Sequence, residues 1–124
     1  MNGLLLSFKN AFRGIWIAFK GQRNQRIHFV LGFATILAGF YFHISKVEWL
    51  AILLSISLVM GLEIMNTAIE ELTDHISPDF HEKVGRVKDL AAGSVLIASL
   101  LVFILGLVIF LPRLLAIIGS IFHA

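Results

Sequence analysis

The chain has 124 residues, so one domain is expected, yet only 15% are charged against about 25% in an ordinary soluble domain, and 58% are apolar. A net charge of +2 is too small to suggest nucleic-acid binding, and the absence of cysteine removes disulfide and thiolate chemistry. The charges are also clustered: Lys9, Arg13, Lys20, Arg23 and Arg26 come before any acid, and all eight acids lie between Glu48 and Asp89, which leaves the long uncharged stretches of an all-α integral membrane protein.

Residues 3–20 read as an amphipathic helix on the membrane surface. Leu4, Phe8, Ala11, Phe12, Ile15 and Phe19 share one face, and Lys9, Arg13 and Lys20 share another. A basic and aromatic helix of this kind suits the boundary between acyl chains and anionic headgroups. Lys9 and Arg13 interrupt the opening apolar run, so it does not read as a signal peptide.

The first membrane span is expected over 27–44, which carries no formal charge. At about 1.5 Å per residue it measures roughly 27 Å, just enough to cross. A very short turn leads to the second span, 47–73, with Trp49 as an interfacial anchor. Beyond Leu62 this helix becomes polar, and Ser77-Pro78 is expected to end it, because proline disfavours helix in the residue before it. After a polar loop the third span covers 84–111, and Pro112-Arg113 is expected to stop it. The apolar tail 114–124 is too short to cross. The expected fold is thus an N-terminal surface helix plus three transmembrane helices in a single domain, 1–124. Basic residues concentrate before residue 27 and at Lys83, Arg86 and Lys88, which places the N-terminus and the 75–88 loop in the cytoplasm and the C-terminus outside.

Ionisable residues within such spans are functional candidates, because burying them in lipid is costly. Glu63, Asn66, Glu70 and Asp74 are spaced by three, four and four and line one helical face. That face must look at other helices or a watery cleft. Lys88 and Asp89 stand at the cytoplasmic end of the third helix, just before the small residues Ala91, Ala92 and Gly93. Together these groups suit phosphoryl transfer. One carboxylate takes a hydroxyl proton, another holds a divalent metal, and a lysine offsets phosphate charge. Glu71 and Glu82 read instead as solvated helix ends. His28, His43 and His123 read as interfacial residues, and His75 and His81 lack the second pair of ligands a zinc site needs. There is no glycine-rich phosphate loop, so any nucleotide chemistry uses another scaffold.

The run from Gly61 to Leu96, with E-x-x-N-T-A-I-E followed by a loop histidine and K-D, resembles the prokaryotic diacylglycerol kinase and undecaprenol kinase family. The resemblance extends to Phe12-Arg13-Gly14 and to RNQRIH at 23–28, and spans about residues 5–111. It implies a homotrimer in the bacterial cytoplasmic (inner) membrane, with active sites shared between subunits. The implied reaction is ATP-dependent phosphorylation of a lipid alcohol, either diacylglycerol or undecaprenol, with Mg2+. By motif position Glu63 matches the catalytic base and Asn66 a residue supporting it. Glu70 matches a metal ligand that faces the nucleotide. Asp79, Phe80 and His81 match the loop near the nucleotide, and Lys88 with Asp89 match the pair that contacts it. Where the family usually has a second metal-binding glutamate, this chain has Gln22. An amide coordinates magnesium without supplying charge. Two other readings compete: an ion- or proton-conducting helical oligomer with Glu63 as carrier, and a catalytically weakened scaffold of the same fold.

Overall fold

The computed structural model describes residues 2–79 and 81–124. Among these residues the secondary structure is entirely helical: α1 (Gly3–Gly21), α2 (Arg23–Tyr41), α3 (Lys46–Ile76) and α4 (Glu82–Phe122). The Asn2 side chain accepts from the Leu4 N–H and starts α1. Leu4, Phe8, Phe12 and Trp16 are all exposed, whereas Ala18 is buried. The apolar face of α1 is therefore uncovered, as a helix lying in a membrane surface requires.

Gln22 alone separates α1 from α2. Its backbone is extended, although its N–H still bonds to the Ala18 carbonyl. The Arg26 guanidinium donates to the Lys20 carbonyl at 3.0 Å and so satisfies an otherwise open acceptor at the end of α1. Because α2 begins with arginines, α3 and α4 are the two described helices long and apolar enough to cross a membrane by composition. α3 ends before Pro78 as expected, with Ser77 as its cap. Its 31 residues span roughly 46 Å at 1.5 Å each, well beyond a hydrocarbon core of about 30 Å.

The α2–α3 turn is short because two devices fix it. His43 adopts a left-handed conformation, with φ of 52°. Ser45 and Glu48 then form a reciprocal capping box, the Ser45 hydroxyl accepting from the Glu48 N–H and the Glu48 carboxylate accepting from the Ser45 N–H. Close packing follows. Gly39 faces the Trp49 ring, and Gly32 faces Ile56. Trp49 is therefore half-buried against α2, stacked obliquely on Phe40 with ring centres 4.8 Å apart.

α4 corrects one expectation. Helix continues through Pro112 to Phe122 instead of stopping there. Membrane helices tolerate proline where neighbouring groups satisfy the freed backbone. Here Pro112 frees the Val108 carbonyl, while the Arg113 guanidinium donates to the adjacent Ile109 carbonyl at 2.5 Å and grips both Glu48 oxygens at 2.8 and 2.9 Å, which anchors the helix past the proline. The tail is thus tied to the start of α3. The buried cluster of Ile44, Ile52 and Ile109 lies next to this clamp, at the end of the bundle away from the acidic residues.

Candidate functional site

Both neighbours of α3 run antiparallel to it, and their registers place the polar groups. Along α2, Gly39, Gly32 and His28 meet Trp49, Ile56 and Glu63 in turn. One further turn toward the helix ends puts Gln25 at the level of Asn66. Along α4, the Arg113–Glu48 and Lys88–Asp74 pairs fix the register at its two ends. Between them, the buried Ala98 and Ala91 fall at the levels of Glu63 and Glu70. Small side chains at these positions let α4 approach the acidic face of α3 closely.

Glu63 is buried, with 8% of its surface exposed. Its carboxylate Oε1 lies 2.9 Å from His28 Nε2. One turn on, Asn66 Nδ2 donates to Glu70 Oε1 at 3.2 Å, while Asn66 Oδ1 is buried without a partner. An amide that holds one carboxylate and keeps a free acceptor is set to position a neighbour, since buried polar atoms are almost always bonded. Lys88 Nζ reaches Asp74 Oδ1 at 2.7 Å and bridges α4 to α3. An ammonium has three donors, so this pairing leaves two for another anion.

The loop residues divide. His81 caps α4 through Nδ1, which accepts from the Lys83 N–H at 3.2 Å. The carbonyl of Asp79 accepts from the Ser77 hydroxyl, and the residue is exposed. Asp89 is exposed on α4, beside Lys88. Phe80 lies outside the described residues. Glu63, Asn66 and Glu70 are thus brought together on α3. Lys88 joins α3 one turn beyond, and Asp79, His81 and Asp89 border that end without contacting the three.

Two residues of α2 were not expected in this cluster. His28, read from sequence as interfacial, is instead in contact with Glu63. Gln25 is fully buried, and neither side-chain amide atom has a partner. The signal was present in the sequence. A short turn near Ser45 makes α2 and α3 an antiparallel pair, and counting outward equally from it brings residue 28 within a helical turn of residue 63.

Among the described residues, no three His, Cys, Asp or Glu side chains converge as a closed metal cage. The ligands expected from the sequence are the Glu70 carboxylate and the Gln22 amide. Magnesium in phosphoryl-transfer sites is typically held by one or two carboxylates together with substrate phosphates and water, so this sparse set fits a metal that arrives with a nucleotide.

Comparison with known proteins is consistent along nearly the whole chain. A family model described as prokaryotic diacylglycerol kinase matches residues 9–110. The chain is 39% identical over 114 residues to an undecaprenol kinase of Bacillus subtilis, covering 92% of this chain and 93% of that protein. It is 40% identical over 114 residues to a diacylglycerol kinase of Synechocystis, covering 91% of this chain and 65% of that longer protein. Against a diacylglycerol kinase of Escherichia coli it is 30% identical over 92 residues, covering 74% of this chain and 73% of that protein.

Proposed function

The chain belongs to the prokaryotic diacylglycerol kinase family and is a lipid kinase, and on that footing we propose that it transfers the γ-phosphate of ATP to the primary hydroxyl of diacylglycerol or undecaprenol at the cytoplasmic membrane face. The observation that carries the site assignment is the buried Glu63, held against His28 one turn from the Asn66–Glu70 pair. A base must be shielded enough to keep its direction and close enough to lipid to meet a hydroxyl anchored by an apolar tail.

In this reading the lipid alcohol reaches Glu63 sideways from the bilayer. Glu63 accepts the hydroxyl proton as the oxygen attacks phosphorus in line with the leaving ADP. Asn66 orients Glu70. A Mg2+ ion held by Glu70 and Gln22 would neutralise charge on the nucleotide phosphates. Lys88, steadied by Asp74, offers its remaining N–H donors to the same phosphates, and Asp79, Phe80, His81 and Asp89 border the nucleotide. α2, α3 and α4 cross the cytoplasmic membrane, with the N-terminus and the 75–88 loop inside and the C-terminus outside. Three copies assemble as a trimer with shared sites. An ion-carrier role suits Glu63 less well, since its carboxylate is paired and Glu70, Glu71 and Asp74 follow it toward one end of α3.

The test is phosphate transfer from labelled ATP with magnesium, with diacylglycerol and undecaprenol offered side by side to detergent-purified protein. Product with at least one lipid is expected, and the ratio of initial rates identifies the preferred acceptor. Glu63→Gln should lower kcat by about 10²–10⁴-fold, the usual range for a general base. Folded protein that makes no product with either lipid would favour a scaffold weakened at Gln22.

A further inference from the structure

We infer that His28 is a positioning residue for Glu63: its ring holds Oε1 and leaves Oε2 directed at the acceptor hydroxyl. This rests on the reading of Glu63 as the base and adds to it the group that aims the base. Among the described residues, His28 is the one side chain in polar contact with the Glu63 carboxylate, at 2.9 Å. Neither partner is loosely placed. The two side chains are only 25% and 11% exposed. Gly32, one turn further along α2, would put a Cβ 3.4 Å from Ile56, so the helix backbones already run close where the pair forms.

Chemistry supports the assignment. A glutamate on an otherwise apolar stretch of helix has rotamer freedom, and a lone carboxylate in such surroundings is unfavourable unless paired. A base that wanders among rotamers loses the orientation on which proton transfer depends. A third group that fixes the base is the recurring solution in catalytic constellations. His28 also lines an apolar cavity of about 420 Å³ between α2, α3 and α4, with Leu31, Ile52, Ile56 and Phe103. The imidazole is thus a polar group in the wall of that cavity that also contacts the Glu63 carboxylate.

The experiment compares His28→Leu, His28→Gln, Glu63→Gln and the Leu/Gln double variant as full-length protein, using labelled ATP and whichever lipid the native chain accepts. His28→Leu should lower kcat by at least about tenfold with KM for Mg-ATP changed by less than about twofold, because the loss lies in the chemical step and not in nucleotide binding. The Gln variant should recover to within about threefold of native, because its amide N–H reaches near the position of Nε2. In the Glu63→Gln background, the His28 change should have no further effect on the residual rate, as expected of residues acting as one unit. His28→Asn, whose amide is too short to reach, replaces the Leu variant if that protein does not fold. The inference is overturned if His28→Leu or His28→Asn keeps native kcat while Glu63→Gln is inactive. It is equally overturned if Gln fails to rescue and the two losses multiply in the double variant, which is the pattern of a packing role. Native turnover in Glu63→Gln would remove the base reading itself, and this inference with it.

Discussion

At the scale of single residues, Gln22 is the departure with the clearest consequence. It stands between α1 and α2, and as a metal ligand its amide would coordinate without charge. Metal affinity in oxygen-ligand sites follows the number of charged ligands. Gln22→Glu should therefore lower the magnesium concentration for half-maximal phosphorylation by at least roughly threefold, with kcat little changed. Titration of initial rate against Mg2+ at saturating ATP checks this, and an unchanged midpoint would place residue 22 outside the metal's reach. The α3 candidates were legible in the sequence because acids and amides repeated at helical spacing inside an apolar stretch. His28 and Gln25 were not, because their meaning lies in a second helix. A histidine at the start of a span looks like any interfacial residue until the turn at His43–Ser45 fixes which residue faces it.

At the scale of elements, the α2–α3 pair turns on two glycines with opposite expectations. A Cβ at Gly39 would lie 2.7 Å from Trp49 Cη2 and 2.9 Å from Cζ2, with Ile44 Cδ1 at 3.1 Å. A fixed ring cannot yield as a flexible chain end can. Overpacking of this kind costs about 1–3 kcal/mol, while alanine gains up to about 1 kcal/mol over glycine in helix propensity, so Gly39→Ala should be destabilising by up to about 2 kcal/mol net. At Gly32 the nearest atom is a methyl at 3.4 Å, ordinary contact distance, and Gly32→Ala should be neutral or stabilising. Thermal unfolding in one detergent compares them. Trp49→Leu in the Gly39→Ala background should restore part of the loss, and its failure to do so would exclude the ring as the cause. The end of α3 at Ser77 was readable from Pro78, but the same rule failed at Pro112. The difference is the surroundings. Pro78 opens into a polar loop, whereas Pro112 lies in a stretch of α4 that Arg113 anchors across the bundle to Glu48.

At the scale of the whole molecule, the single chain is incomplete as a packed body. Its accessible surface is 9470 Å² for 13.8 kDa, against roughly 6,600 Å² for a compact soluble monomer of that mass. Much of the excess is apolar side chain on α3 and α4, which lipid or other copies must cover. The site shows the same incompleteness. Lys88 meets α3 at Asp74, eleven residues beyond Glu63, and eleven residues of helix measure roughly 16 Å. One chain thus holds the proposed base and the lysine proposed to bind phosphate far apart, as expected if the nucleotide bridges subunits in the proposed trimer. Mixing Glu63→Gln and Lys88→Ala chains, each inactive alone, tests this. In randomly assembled trimers each shared site receives an intact Glu63 from one chain and an intact Lys88 from its neighbour with a chance of about one in four, so activity should return to about a quarter of native. Sites confined to one chain would stay inactive at every mixing ratio, because no single subunit in the mixture would carry both groups.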